Sequence, residues 1–312
     1  MMRRRAFLKA GMLGAAVLGA GPLHRLNAFS LPMPSPSASA TLSVIKGSDI
    51  AATVRAAIEA VGGMSAYVKP GNVVLLKPNV SFANPPEWGS TTHPEVIREV
   101  VRLCKEAGAK RIVTVDFPMR RAAQCFERSG ISALAAEVPE MTFQELGQEQ
   151  HFENIATPDC VEFKEIAVAK LLRKADVFIN LPTAKAHNGT TVSFGMKNLM
   201  GLIHDRGAFH GRYNLSSAVA DLATVLRPQL TVMDAWYALL DNGPQGPGSV
   251  EQLNTIVAGV DPAAVDAITL GLTPWSGCTL TPEGVRHIAL AAERGAGTLH
   301  PDEAGIARAT LG

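Results

Sequence analysis

Between Pro182 and Arg212 the chain gathers Lys185, His187, Asn188, Lys197, Asn198, His204, Asp205, Arg206, His210 and Arg212, with glycines at 189, 195, 201, 207 and 211. Glycine lets backbone approach a ligand closely, so this segment can bring amines and imidazoles against a small molecule. Lys197 stands among Phe194, Met196, Leu199, Met200 and Leu202; an amine buried in such company has a lowered pKa and suits proton transfer or the clamping of an anion. His187 is a candidate proton carrier, because imidazole titrates near neutral pH. His187, His204 and His210 also raise a metal centre completed by an aspartate, but their spacing matches no local H-x-x-x-H pair and names no metal.

Further polar residues stand where apolar runs end. Val73-Val74-Leu75-Leu76 runs into Lys77-Pro78-Asn79, Ile112-Val113-Thr114-Val115 ends at Asp116, Val177-Phe178-Ile179 leads through Asn180 to Lys185 and His187, and Val232-Met233 ends at Asp234. If these runs are parallel strands, their ends converge on one crevice, the usual ligand site of open parallel sheets. Thr92-His93-Pro94-Glu95 fits a capping box with Thr92 as N-cap. That leaves Thr91 and His93 at a helix N-terminus, where free N–H groups favour a phosphate or carboxylate. The turn-forming loop from Asp241 to Gly248 contributes Asn242 and Gly243, although its spacing is neither a P-loop nor G-x-G-x-x-G. The candidate catalytic residues are therefore His93, His187 and Lys197. Candidate ligand-binding residues are Lys77, Asn79, Thr91, Asp116, Lys185, Asn198, Asp234, Asn242 and Gly243, with Asp116 and Asp234 orienting a basic partner or a metal.

The elements that must hold these residues read as alternating short strands and helices. Strands are expected at 42–46, 73–77, 111–116, 177–181, 230–234 and 255–260, and helices at 49–61, 92–107, 215–226, 262–270 and 282–293. Asp261 is expected to cap the helix that starts at Pro262. Continuous apolar strands alternating with amphipathic helices specify an α/β fold, a mostly parallel sheet with helices on both faces. Residues 118–165, weaker in periodicity and rich in Glu and Gln, suggest a small subdomain or insertion.

The 312 residues are 47% apolar and 18% charged, which excludes a largely disordered chain. With 29 basic and 28 acidic residues there is no electrostatic footprint for nucleic acid. Cys104, Cys125, Cys160 and Cys278 form no C-x-x-C, so no local iron–sulfur motif exists and the cofactor stays unknown. Cys104 falls on the apolar face of a helix and reads as a core residue.

Residues 1–40 lack Asp and Glu, carry Arg3, Arg4, Arg5 and Lys9, and run apolar from Ala10 to Leu23 before a Pro/Ser-rich linker. This is the layout of an export signal. The apolar run is shorter than the roughly 18 to 20 residues a spanning helix requires, so no permanent membrane anchor is expected. Arg4-Arg5-Ala6-Phe7-Leu8-Lys9 resembles the twin-arginine motif, with Arg3 where that pattern usually has Ser or Thr. The expectation is export by the twin-arginine translocase, cleavage after Ala40 within Ala38-Ser39-Ala40, and a periplasmic domain spanning 41–312.

Taken together, Leu75-Leu76-Lys77-Pro78-Asn79, Thr91-Thr92-His93-Pro94-Glu95, Asp176 to Pro182 with Lys185 and His187, Lys197-Asn198 with Gly201, Asn242-Gly243-Pro244 with Gly246, and Asp261 to Asp266 resemble the family called domain of unknown function 362. The family's usual lysine-threonine-histidine is here Lys185-Ala186-His187, without the hydroxyl. Some members append a ferredoxin-like cysteine cluster, which this sequence lacks. The resemblance implies a site at these residues and specifies no reaction. Three readings fit: an exported enzyme binding a small anionic ligand or cofactor and using Lys/His acid–base chemistry, a non-catalytic ligand-binding or cofactor-handling protein, or a His/Asp metalloenzyme.

Overall fold

The computed structural model describes residues 40–312, so the expected export signal lies, but for Ala40, outside the described residues. Its strands are β1 (Leu42–Lys46), β2 (Val73–Pro78), β3 (Arg111–Asp116), β4 (Met141–Glu145), β5 (Phe152–Ala156), β6 (Glu165–Ala169), β7 (Val177–Leu181), β8 (Thr183–His187), β9 (Thr191–Ser193), β10 (Leu230–Leu239), β11 (Val250–Gly259) and β12 (Ile306–Thr310). All but β5 and β6 belong to one ten-stranded sheet, whose main path runs β12-β1-β11-β10-β7-β2-β3-β4 with β8 and β9 attached to β10.

The fold is α/β and the sheet mostly parallel. Its parallel pairs are β1/β12, β10/β7, β10/β8, β2/β7, β2/β3 and β3/β4. Antiparallel pairing enters through β11, which lies between β1 and β10, and through the short β8/β9 hairpin.

Successive residues of a strand point to opposite faces, so a strand covered on both sides must be apolar throughout. Val74, Leu76, Ile112, Ile179, Val232 and Ile256 accordingly join one buried cluster with the helices Ile50–Ala60 and Pro94–Glu106. Leu75, Val113, Val115, Phe178, Met233 and Val257 join the other, covered by the helices Leu215–Val225, Pro262–Leu270 and Arg286–Glu293. Cys104 is fully buried in the first cluster. Asp261 caps the Pro262–Leu270 helix, accepting the Ala264 N–H at 2.8 Å.

Several elements differ from the sequence reading for reasons of packing. Strands β10 and β11 run well beyond the expected 230–234 and 255–260, because they pair with each other along nearly their whole length. Residues 183–187, where no element is expected from the sequence, form a strand, since β8 pairs with the extended half of β10. The helix expected over 282–293 divides into a 3-10 turn, Pro282–Gly284, and the helix Arg286–Glu293. Within 118–165, the helices Ala122–Arg128 and Ile131–Glu137 lead into β4 at the edge of the main sheet. The later part supplies β5, which pairs with β6 in a separate antiparallel ribbon.

The chain passes from β2 outward to β3 and β4, then returns to place β7 on the other side of β2. Successive connections thus leave β2 in opposite directions, and a crevice opens beyond the carboxyl ends of β2 and β7.

Candidate functional site

At the floor of that crevice Lys77 and Asp116, from the ends of β2 and β3, form an ion pair with Nζ 2.8 Å from Oδ1 and side chains 1% and 0% exposed. Asp116 is further held by the backbone N–H of Val80, at 2.6 Å, and of Phe117, at 2.8 Å. Lys77 Nζ also donates to the carbonyl of Pro78 and to Asn198 Oδ1. Burial pulls the Lys77 pKa below its ordinary value, while Asp116 opposes that shift. A buried pair of this kind needs its remaining hydrogen-bonding capacity satisfied, and these contacts supply that.

Asn198 ties the floor together. Its Oδ1 accepts from Lys77 Nζ at 3.2 Å and Asn79 Nδ2 at 3.0 Å, and its Nδ2 donates to the Lys77 carbonyl at 3.0 Å and to Asn180 Oδ1 at 2.9 Å. Asn79 Oδ1 in turn accepts from Lys185 Nζ at 3.0 Å. The network joins β2, β7 and β8 to the short helix Gly195–Asn198, which carries Lys197 and Asn198.

That helix starts against a buried carboxylate. Asp266 accepts the N–H of Gly195 at 2.7 Å and of Met196 at 3.1 Å, serving from another helix the donors that a helix start leaves unpaired. Asn180 Nδ2 donates to the Gly195 carbonyl from the sheet side. Burial outweighs the two N–H contacts and raises the Asp266 pKa to about 7. The turn after the helix, Leu199–Leu202, passes close over the floor at Gly201, where a Cβ would overlap the Asp116 carboxylate and Lys77 Cε.

Above this floor is a cleft of about 530 Å³, counting its open mouth. Lys185, His187, Lys197, Arg206 and His210 line it together with Asn79, Asn198 and Ser193, and no carboxylate is among its described lining residues. Lys185 is fully buried and donates to the Ser90 carbonyl at 2.6 Å, with its Nζ 5.2 Å from the centre of the Phe82 ring. Burial, reinforced by the charges of Lys197 and Lys77 and opposed by Asp116, lowers its pKa to about 7. Lys197, 8% exposed, has its pKa lowered to about 8 by burial and by Arg206. His187 Nδ1 accepts the N–H of Gly189 at 2.9 Å and of Thr190 at 3.2 Å. The neutral ring therefore carries its proton on Nε2. Burial and the Lys197 and Lys185 charges drive the His187 pKa down to about 2, which keeps the ring neutral.

The structure therefore brings His187, Lys197, Asn79, Lys185 and Asn198 to one cleft, with Lys77 and Asp116 in the network beneath. His93 does not join them. It is the N-cap of the Pro94–Glu106 helix, with Nδ1 accepting the Glu95 N–H at 3.2 Å and its own N–H donating to Asp234 Oδ2 at 2.7 Å. The cap expected at Thr92 is thus shifted by one residue, because Thr92 Oγ1 is engaged between the Asn79 N–H and the Leu181 carbonyl and stitches β2 to β7. Asp234 also accepts the Trp236 N–H, at 2.9 Å, and is spent on backbone. Thr91 is buried beside these residues, and its hydroxyl has no hydrogen-bond partner among the described residues.

In the 241–248 loop it is Pro244 that reaches the cleft. Gly243 packs so tightly against Ala186 that a Cβ would strike its carbonyl, and Asn242 stands beside it with positive φ. The three histidines considered for metal separate, since His187 and His210 line the cleft while His204 packs on Phe152 with ring centres 5.0 Å apart. Among the described residues no three His, Cys, Asp or Glu side chains come together as a metal site.

Sequence reasoning named Arg206 without assigning it a role. Its guanidinium donates to the carbonyls of Phe117 and Pro118 and lies 3.7 Å from the Phe117 ring centre. It also passed over Asp266, whose only local signal was a place inside the stretch 261–266.

An α/β protein with a cation-lined cleft beyond its parallel strands is the class these features define. The chain belongs to the family described as Domain of unknown function (DUF362), whose pattern matches residues 74–271. "Thylakoid-associated protein sll1697" of Synechocystis sp. is 30% identical over 226 residues, which cover 70% of this chain and 68% of that protein. Among solved structures, the lactate racemase apoprotein from Thermoanaerobacterium thermosaccharolyticum aligns at 14% identity with a TM-score of 0.44, covering 76% of this chain and 57% of that one. The aligned part is thus little more than half of the racemase.

Proposed function

We propose that the cleft binds a small anionic ligand, a carboxylate or phosphate, and that the protein is an enzyme using Lys197 for proton transfer, with the neutral His187 donating a hydrogen bond from Nε2–H. The observation that carries this reading is the lining itself, with Lys185, Lys197 and Arg206 facing one small volume that no described carboxylate lines. Charges gathered without counter-ions are costly unless an anion completes them. Lys185 and Lys197, with pKa values of about 7 and about 8, each stand near the point where a lysine both accepts and releases protons at neutral pH. Calorimetry with acetate and inorganic phosphate, set against neutral acetamide, tests the binding. Acetate or phosphate should bind, Lys197→Met should weaken that binding by roughly tenfold or more, and acetamide binding as tightly as acetate would overturn the reading.

The chain is also proposed to reach the periplasm through the twin-arginine translocase and to work there as residues 41–312. Support comes from Arg4-Arg5-Ala6-Phe7-Leu8-Lys9, the short apolar run and Ala38-Ser39-Ala40. Among the described residues no helix is long and apolar enough to cross a membrane. Replacing Arg4 and Arg5 together by Lys should hold the precursor in the cytoplasm, as read by cell fractionation. Undiminished export of that variant would remove the twin-arginine route.

A further inference from the structure

Lys197 differs from the other buried lysines of the crevice in what its amine touches. Lys77 Nζ is paired with Asp116, and Lys185 Nζ donates to Asn79 Oδ1 and to the Ser90 carbonyl. Lys197 Nζ, among the described residues, meets only the sulfur of Met200, 3.2 Å away. A thioether is a weak acceptor and does little to hold an ammonium in place. The side chain is 8% exposed and lines the cleft, so its amine is reachable from there.

A desolvated lysine beside another cation is the arrangement that makes an amine nucleophilic toward carbonyl carbon. Here the neighbouring cation is Arg206, whose charge opposes protonation of Lys197. With its pKa at about 8, about a tenth of the amine is unprotonated at pH 7, against roughly one in three thousand for an ordinary lysine. His187 supplies the second part. Its Nδ1 is occupied by the Gly189 and Thr190 N–H groups, so Nε2–H remains as a donor for a carbonyl oxygen.

We propose that Lys197 condenses with the carbonyl of a small oxo acid, whose carboxylate the same cleft holds through Lys185, to form an imine. Such an acid carries both the anion the cleft suits and the electrophile the amine requires, so the inference rests on the anion-binding reading above. The Nζ lone pair forms the C–N bond while the carbonyl π pair moves to oxygen, which accepts a hydrogen bond from His187 Nε2–H. One proton passes from nitrogen to that oxygen and gives the carbinolamine. The nitrogen lone pair then forms the C=N π bond as the C–O bond breaks, and the oxygen departs as water with a second proton from the nitrogen. The products are a neutral imine and water, and no oxidant or reductant takes part.

The test incubates the full-length chain with pyruvate and sodium cyanoborohydride, which reduces an imine to a stable amine, and maps the modified peptides by mass spectrometry. Calorimetry with acetate runs alongside. A carboxyethyl group should form on Lys197 roughly tenfold or more faster than on the exposed Lys105 and Lys110, and the Lys197→Met chain should lose the fast label. Because the peptide map reads the site in the unaltered protein, the result does not depend on that variant folding. Labelling of Lys185 in place of Lys197, or of all lysines at one rate, overturns the assignment. Trapping of acetone, a ketone without the carboxylate, at Lys197 as fast as pyruvate overturns the oxo-acid class. If acetate binds and pyruvate is not trapped, the imine falls and the anion cleft stands; if acetate also fails to bind, both fall.

Discussion

Lys77, Lys185 and Lys197 carry one kind of side chain into three electrostatic settings, and the settings decide what each can do. Lys77 is neutralised by Asp116, so its first role is to hold the floor of the crevice. Asp116→Asn leaves that ammonium buried without a counter-charge and should destabilise the fold by about 3–5 kcal/mol. Pairing it with Lys77→Met should recover much of the loss, since removing both charges also removes the desolvation cost; urea denaturation of the two variants reads the difference. Lys185 is buried with its pKa lowered to about 7. Between that value and the ordinary 10.5 the unfolded chain binds a proton that the folded chain does not, so folding stability rises with pH. The contribution is full above 10.5 and is lost as pH falls through about 7. Lys185→Met should therefore flatten the stability profile between pH 7 and 10, by up to about 1.4 kcal/mol per pH unit. An unchanged slope would show that this amine stays protonated in the fold.

At the scale of elements, the four residues of the Gly195–Asn198 helix are too few to be stable by themselves, and their position is imposed from outside. Asp266 receives the first N–H groups, Asn180 holds the Gly195 carbonyl, and Asn198 anchors the end to β2 and β7. Asp266→Asn keeps one acceptor and sets an amide N–H against the other backbone donor. A cost of about 1–3 kcal/mol is expected, together with weaker acetate binding, because Lys197 moves with the helix. Thermal denaturation and calorimetry on the same variant check both, and intact acetate affinity would detach Asp266 from the site. Gly201→Ala should act from the other side. The added Cβ overlaps the Lys77–Asp116 pair, so the Leu199–Leu202 turn must lift, with a loss of stability comparable to breaking that pair.

At the scale of the molecule, the sheet extends beyond the stretch that carries the family pattern. Strands β1 and β12 lie outside residues 74–271, and β12 covers the edge of β1 in parallel register from Leu42 opposite Ile306 to Lys46 opposite Thr310. An uncovered strand edge offers unpaired N–H and carbonyl groups to another chain. Deleting residues 306–312 should lower the melting temperature and promote self-association, seen by light scattering, while acetate binding per folded molecule persists because β1, β11 and β10 separate β12 from the strands β7 and β2 that the cleft lies beyond. Loss of binding in a variant that remains folded would tie the C-terminal strand to the site.

The α/β class and the parallel strands 73–77, 111–116 and 177–181 were legible in the amino-acid order, because strands buried on both faces are continuously apolar and their ends are marked by the first polar residues. The same marks pointed to Lys77, Asn79, Asp116, Lys185 and His187, and the polar 182–212 segment pointed to Lys197 and Asn198; the fold gathers all of them in and under one cleft. What the order could not specify was the sharing of partners. Thr92 and His93 are both able to cap a helix, and only the closeness of Asn79 and Leu181 commits Thr92 to the strands and leaves the cap to His93. Residues 183–187 are too polar and too short to announce a strand, and β8 exists because β10 extends alongside to receive it. Asp266 resembles any polar residue of a helix until the Gly195–Asn198 segment is laid against it. Burial periodicity is a local property and survives in sequence, whereas hydrogen-bond partners and displaced pKa values depend on which distant groups meet in low dielectric, and tertiary structure alone decides that.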